Sequence, residues 1–221
     1  MRELQAGVWH WQAPHPGWEE SEPWDRMVSS YAIDDAERLL VFDPIAPPPE
    51  LDALAADREA LIVLTNPWHE RDTRSLVDRL GLPVHSPLPD TQEDLMEKYG
   101  LTAERAAGGS PDLAWLLAGE AGELHPYRAD GGLPPGVEAA FPGREPNDVV
   151  LWIESQHAVV VGDTLVDFGQ GLEIPLGWLR DAVPRDQIVA ELRPLLELPV
   201  ELVLPTHGTP TDRTALERAL A

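Results

Sequence analysis

The stretch of sequence that decides the fold is residues 158–166, which read AVVVGDTLV. Its apolar, β-branched start is typical of a buried strand, and the glycine and Asp163 that follow end that strand. Residues 148–154, DVVLWIE, precede it with a similar pattern, and Ser155-Gln156 lies between the two. The sequence therefore predicts a strand pair with a carboxylate at the end of its second strand.

Further strand and helix signals flank this pair on both sides. A series of short strands opens the chain, strands then alternate with helices, and the second half repeats this rhythm. Such an order predicts an α/β (α+β) protein in which two sheets lie beneath outer helices. Since no long linker interrupts it, we expect one domain over 1–221. The further predicted strands are 7–12, 27–33, 38–43, 60–65, 83–85 and 201–205, and the predicted helices are 48–57, 69–80, 91–99, 176–183, 185–196 and 211–220.

The composition excludes several classes of function. The 221 residues carry 16 basic and 39 acidic side chains, a net charge of −23, which disfavours nucleic acids and anionic membranes as partners. Cysteine is absent, so disulfides, thiolate nucleophiles and thiolate-bound metals are excluded. No run of apolar residues is long enough to cross a membrane, and the N-terminus lacks the pattern of a signal peptide. We therefore expect a cytoplasmic protein.

Five segments, taken in order, resemble the metallo-β-lactamase superfamily. Residues 39–43 are similar to its early strand that ends in Asp, and residues 62–71 (IVLTNPWHER) stand where it has T-H-x-H-x-D-H. Residues 141–148 (FPGREPND) stand where it has P-G-H, and residues 158–166 are similar to its G-D-x-L segment. Residues 202–210 (LVLPTHGTP) are similar to its late strand and G-H-G turn. The resemblance covers nearly the whole chain and implies a four-layer αββα sandwich.

The resemblance also implies a metal site, but most ligand positions hold other side chains. In the family, imidazoles and carboxylates bind two metal ions, which lower the pKa of a bound water and polarise a substrate oxygen. Asp163 and His207 keep the residue type of the family, and Glu70 keeps a carboxylate. The positions of the four other motif histidines hold Asn66, Trp68, Arg71 and Arg144.

His69 stands one residue out of register with the missing ligands, so it reaches the site only if its loop rotates. Because a catalytic zinc needs three protein ligands and a structural one needs four, we expect no metal or other cofactor. The alternative is zinc or another divalent metal held by Asp163, His207, Glu70 and His69.

The two arginines suggest what replaces the metal ions. A buried Asp163 without cations costs on the order of several kcal/mol unless it is paired or protonated. We therefore predict that Arg71, Arg144 or both pair with Asp163, with Glu70 as a further acceptor in the same space. Asn66 is interpreted as a cap before Pro67, and Trp68 as core packing or a pocket wall.

Four of the eight tryptophans lie within the first 24 residues. Trp9 and Trp11 are candidates for filling the core behind the first strand. Trp18 and Trp24 lie among Pro, Gly and acidic residues and are candidates for an aromatic rim around an apolar ligand, or for a homodimer contact.

Three functions stay open from the sequence. The favoured one is a non-metal member of the fold that binds a small molecule or a partner. The second is a metal-dependent hydrolase with a reduced or displaced site. The third is a metal-free enzyme in which Arg71 and Arg144 hold an anionic substrate and His207 acts as acid or base. The candidate catalytic residues are His207 and Asp163, and the candidate pocket or anion-binding residues are Arg71, Arg144, Glu70, His69, Asn66 and Trp68.

Overall fold

The structure is a computed structural model that describes residues 1–109, 123–177 and 183–221. Within these ranges the chain forms two β-sheets and a set of short helices. The strands are β1 (Arg2–Gln5), β2 (Val8–Pro14), β3 (Met27–Asp34), β4 (Arg38–Phe42), β5 (Glu59–Val63), β6 (Val84–Pro87), β7 (Leu124–Tyr127), β8 (Ala139–Pro142), β9 (Val149–Ile153), β10 (Ala158–Val160), β11 (Leu202–Leu204) and β12 (Thr211–Asp212). The α-helices are α1 (Pro49–Ala55), α2 (Thr73–Leu80), α3 (Gln92–Tyr99), α4 (Ala103–Gly109), α5 (Arg185–Leu192) and α6 (Arg213–Ala219).

Each sheet combines antiparallel and parallel strands. The seven-stranded sheet has the order β1-β2-β3-β4-β5-β6-β7, antiparallel up to β4 and parallel from there. The five-stranded sheet has the order β12-β11-β10-β9-β8, and only β10 and β11 run parallel. Parallel pairs lie at the centre of both sheets, β4 with β5 in one and β10 with β11 in the other.

Three buried layers hold the sheets and helices together. Alternate residues of a strand point to opposite faces, so each sheet contributes one apolar face to the contact between the sheets and one to its helices. The predicted four-layer αββα sandwich is confirmed. Between the sheets lie Tyr31, Leu40, Phe42, Leu151, Val160 and Leu204. On the outer faces, Val41 and Ile62 pack with Leu51 of α1 and Leu76 of α2, while Val159 and Val203 pack with Ile188 of α5 and Leu216 of α6.

The parallel pairs of both sheets end at one edge of the sandwich. Asp43 follows β4, and Thr65 lies two residues after β5. Asp163 and Thr206 follow β10 and β11 in the other sheet. Backbone hydrogen bonds join the two sheets here, from Val149 N to Thr65 O (2.9 Å) and from Ser29 N to Thr206 O (2.8 Å). Polar side chains from four strand ends therefore meet where parallel strands commonly place a binding site.

Two predicted helices start later than expected. The helix predicted at 69–80 begins only at Thr73, because Pro67–His69 forms a 3₁₀ turn first. The helix predicted at 211–220 begins at Arg213, because Thr211–Asp212 pairs with β11 as a short strand. Most of the helix predicted at 176–183 falls on 178–182, which lie outside the described residues.

The first tryptophans separate into buried and surface positions. Trp11 lies in the core beneath α1 and α2, and its indole N–H donates to Ile45 O at 2.7 Å. Trp9 is partly buried against the same cluster, which supports core filling for both. None of the helices in the described part of the chain has the length and apolar character needed to cross a bilayer.

His10 on β2 makes stability depend on pH. Its Nε2 lies 2.9 Å from Ser29 Oγ, and its ring stacks on Tyr31 with centroids 5.1 Å apart. Burial, helped by the positive charges of Arg2 and the N-terminus, lowers the pKa of His10 from 6.5 to about 4. The pKa of His10 is lower in the folded chain than in the unfolded chain, so protonation favours the unfolded chain. The free energy of unfolding therefore keeps its full value above pH 6.5 and decreases as pH falls towards 4.

The unmodified chain should lose unfolding free energy between pH 7 and pH 4.5. In His10→Gln we expect this loss to be smaller by about 2 kcal/mol, after a discount for solvent screening. Urea unfolding at both pH values measures this. His157→Gln, at an exposed imidazole, is the matched control. An equal acid loss in the His10 variant and the unmodified chain would contradict the prediction.

Candidate metal centre

Three buried side chains converge at the shared edge of the sheets. His69 Nε2 lies 3.2 Å from Asp163 Oδ1, and His207 Nε2 lies 3.4 Å from the same oxygen. One ligand atom from each of the three residues lies within 4.8 Å of the others. Two imidazoles and one carboxylate at this spacing are a donor set that divalent metal ions use.

The turn after β5 brings His69 inward. Asn66 is extended and caps the turn, its Oδ1 accepting from Trp68 N at 2.7 Å, and Pro67 occupies the first position. The tight turn leaves His69 4% exposed and Trp68 45% exposed. The loop is therefore rotated relative to the register that the sequence implied: His69 occupies the site and Trp68 lies at the surface, so core packing of Trp68 is wrong.

Asp43 holds the other side of the His69 ring. Its Oδ2 lies 3.2 Å from His69 Nδ1 and accepts from Thr65 Oγ1 at 2.7 Å, while its Oδ1 accepts from Thr65 N at 2.9 Å. A carboxylate on the far nitrogen is the usual partner of a metal-binding histidine, because it fixes ring orientation. Asp43 thus directs Nε2 of His69 towards Asp163.

Asp163 lies at the centre of the cluster. Its Oδ2 accepts from Asn66 Nδ2 at 3.0 Å, and its Oδ1 accepts from Thr206 Oγ1 at 3.3 Å. The preceding Gly162 has φ of +53°, and a Cβ there would lie 2.5 Å from Asp148 Oδ1. Only glycine fits this approach, so the Gly-Asp pair is required for the carboxylate to reach the site.

His207 is held by its backbone and by aromatic rings. It forms an isolated bridge with Val28, and its carbonyl accepts from Asp167 N at 2.9 Å. The Trp24 ring meets the imidazole edge to face with centroids 4.7 Å apart. Trp18 lies behind, its indole N–H donating to Trp24 O at 2.8 Å. Trp24 therefore borders the cluster.

The charges of the cluster shift the pKa values of the two imidazoles in opposite directions. Burial lowers the pKa of His69, but the carboxylates of Asp163 and Asp43 outweigh it and raise that pKa to about 9. Burial dominates at His207 and lowers its pKa to about 3. The pKa of Asp163 is held well below its usual range, because His69, His207 and Arg71 outweigh its burial. Without metal, the cluster is a carboxylate with one charged and one neutral imidazole.

Several solved structures share this architecture. No family model matches the sequence, and the search of curated proteins found no match. The structure of VMB-1 superposes with a TM-score of 0.60 at 13% identity, covering 99% of this chain and 93% of that one. A metallo-β-lactamase from Pontibacter korlensis has a TM-score of 0.58 at 16% identity, covering 99% and 95%. The chain has the metallo-β-lactamase fold. TTHA1623, solved in a di-iron-bound form, has a TM-score of 0.56 at 23% identity, covering 95% of this chain and 98% of that one.

Arg71, which the sequence resemblance sets at a ligand histidine position, takes a different role from the predicted one. It has φ of +44°, and its Nη1 donates to Ser29 O at 3.2 Å and Asp43 O at 3.0 Å. In the described residues, the ion pairs of Asp163 within 4.0 Å are with His69 and His207, so the expected direct pair with Arg71 is not formed. The Arg71 charge still lowers the pKa of Asp163 from further away.

Arg144 is the second arginine that the sequence resemblance sets at a ligand histidine position. It is 1% exposed, and its backbone N–H donates to Thr164 Oγ1 at 3.1 Å. Its charge acts on Asp148, whose pKa burial and Asp163 raise to about 7, while Thr164, His69 and Arg144 oppose that rise. Arg144 therefore lies beside the cluster, next to the Asp148 carboxylate that supports Asp163.

Glu70 follows His69 at the end of the 3₁₀ turn, where its N–H donates to Pro67 O at 3.3 Å. Among the described residues, the group with metal-ligand spacing contains His69, Asp163 and His207 and leaves Glu70 out. Of the four candidate ligands predicted from the sequence, three therefore belong to this group, and Glu70 does not.

The expectation of no metal or other cofactor is wrong. The buried His-Asp-His cluster points to metal binding, and a neighbour of the same fold was solved with two irons bound. The donor set fits a divalent cation, because both imidazoles direct Nε2 at one carboxylate oxygen. The sequence alignment with the family motif gave too few metal ligands, because it placed His69 one residue away from a ligand position.

Proposed function

We propose that this chain is a metal-dependent hydrolase with a reduced site that holds a single divalent cation. The observation that carries the proposal is the group formed by His69, Asp163 and His207, whose ligand atoms lie within 4.8 Å of one another in a buried position. Two imidazoles and a carboxylate also form catalytic zinc sites and non-haem iron sites, both of which keep open positions. When bound, such an ion supplies Lewis-acid polarisation of a substrate oxygen and lowers the pKa of water.

The protein residues hold this centre in one orientation. Asp43 and Thr65 fix the Nδ1 side of His69, and Trp24 packs against the His207 ring. Asp163 contributes Oδ1, and its negative charge is the main attraction for a cation. Because all three ligands are nearly excluded from solvent, their electrostatic effect on a cation is stronger than in water.

The family uses two metal ions, but only one is proposed for this chain. The reason is that positive or neutral side chains replace the other ligands. Asn66 and Arg144 stand at two histidine positions, and neither is a cation ligand in these places. The guanidinium groups of Arg71 and Arg144 supply fixed positive charge near Asp163 and Asp148. A second divalent ion there would be repelled by these cations.

A second candidate function is binding of a small molecule at the metal centre without turnover. The observation that favours it is the loss of ligand positions to Asn66 and Arg144, which leaves fewer groups to activate water. Metal uptake without hydrolysis of any substrate class would select this candidate.

Metal content of the purified chain tests the proposal. After anaerobic supply of zinc, iron(II) or manganese(II) and removal of free ions, we expect close to one equivalent of one of these ions per chain. Rates with ester, thioester, phosphodiester and β-lactam substrates then identify the bond that is cleaved. No bound ion under any condition, or hydrolysis at an equal rate in the metal-free chain, would reject the hydrolase.

His207→Ala should weaken metal binding by more than about 100-fold, because loss of a ligand exceeds the effect typical of losing its hydrogen-bond partner. His157→Ala is the matched control, since this imidazole is exposed and pairs with Glu201 at 3.3 Å. Equal metal affinity in the two variants would exclude His207 as a ligand.

A further inference from the structure

The side-chain amide of Asn66 connects the two sheets at the metal centre. Asn66 follows β5 and is buried, and its Oδ1 accepts from Trp68 N at 2.7 Å. Its Nδ2 donates to Asp163 Oδ2 at 3.0 Å. The cap predicted from sequence is therefore only half of what this side chain does, because its other end fixes the carboxylate of the proposed metal ligand.

The two oxygens of Asp163 have different surroundings. Oδ1 faces both imidazoles, at 3.2 Å from His69 Nε2 and 3.4 Å from His207 Nε2. Oδ2 accepts a hydrogen bond from the Asn66 amide. A cation placed among the three ligands thus meets Oδ1, which has only the longer Thr206 hydrogen bond (3.3 Å), while Oδ2 accepts the shorter one from Asn66 (3.0 Å).

We propose that Asn66 is a positioning residue that makes Asp163 a one-oxygen ligand and so limits the centre to a single ion. This inference rests on the proposed metal-dependent function. A histidine here, as the resemblance implies for the family, would add a ligand. The amide instead donates to Oδ2, so a second cation at that oxygen would have to compete with this hydrogen bond.

Asparagine suits this position because it carries both an acceptor and a donor on one short side chain. Aspartate would cap the turn equally well but would set a second carboxylate against Asp163. Serine would also cap the turn, but its hydroxyl is too short to reach Asp163. Asn66→Ser therefore removes the contact to the carboxylate and keeps the cap.

The test compares metal affinity in Asn66→Ser with the unmodified chain, by chelator competition with zinc and cobalt(II). We expect a dissociation constant roughly 10- to 100-fold higher, which is typical when a ligand loses its outer hydrogen-bond partner. We also expect the cobalt(II) visible spectrum to change, because a released carboxylate can bind through both oxygens. Asn147→Ser is the matched control, since its buried amide donates to Leu88 O and contacts none of the three ligands.

An affinity within about threefold of the unmodified chain, with the same spectrum, would overturn the role of Asn66 while leaving the metal-dependent function standing. No metal binding by the unmodified chain would reject both. If Asn66→Ser fails to fold, Asn66→Thr replaces it, because the backbone at φ −152° and ψ 154° suits a β-branched capping residue.

Discussion

Asp163→Asn is expected to abolish metal binding, with a loss of affinity above about 1,000-fold, because it removes the only carboxylate among the three ligands. The amide keeps the size of the side chain but offers a neutral oxygen, which is a poor ligand for zinc or iron beside two imidazoles. The loss should exceed that of the His207 variant, since the negative charge is lost together with the ligand.

The same change should destabilise the metal-free chain by about 3 kcal/mol, because breaking a buried ion pair leaves its partner uncompensated. His69 is that partner, and the amide no longer balances its charge or that of Arg71. Urea unfolding in chelator measures this effect, and Asp130→Asn at an exposed turn is the control. Stability and metal affinity that both match the control would refute the central place of Asp163.

Gly143→Ala should be the most damaging small substitution in the loop that carries Arg144. A Cβ at this position would lie 2.1 Å from Thr164 Oγ1 and 2.3 Å from the backbone oxygen of Asp148. The backbone oxygen is held by Gly143 N at 2.9 Å and cannot swing aside as a flexible side chain would. We expect an unfolding free energy lower by about 3 kcal/mol, at the upper end of what overpacking costs.

Because Thr164 and Asp148 support the approach to Asp163, the Gly143 variant should also bind metal more weakly. Chemical unfolding and metal competition measure the two effects on one sample. Gly131→Ala is the matched control, because its Cβ would meet nothing within 4 Å. A difference between the two variants below about 1 kcal/mol would show that the loop relaxes around the added methyl group.

The sequence predicted the fold well where strands are apolar along their length. Residues 148–154 and 158–162 were expected to pair, and β9 and β10 do so. The strands that were missed, β1, β7, β8 and β12, are two to four residues long and partly exposed, so their burial pattern carries little periodicity. Their partners in the sheet decide their structure, and a local pattern does not record partners.

The site was harder to predict because ligand positions were transferred in register. The resemblance set Asn66 and Trp68 inward, whereas the Pro67–His69 turn directs His69 inward and Trp68 outward. The sequence signal for this rotation was Asn-Pro at the start of the turn. The partners of Asp163 depend on which side chains cross between the sheets, and that information is absent from residue types alone.

The ligands come from separate halves of the chain. His69 follows a strand of the seven-stranded sheet, whereas Asp163 and His207 follow strands of the five-stranded one. Neither half alone contains the three ligands, so the centre exists only after the halves have docked. An ion bound there would hold the two halves together. At a free concentration 1,000 times its dissociation constant, it would raise the free energy of separating them by about 4 kcal/mol. Resistance of the whole sandwich to opening and to proteolysis would then follow the supply of metal in its surroundings.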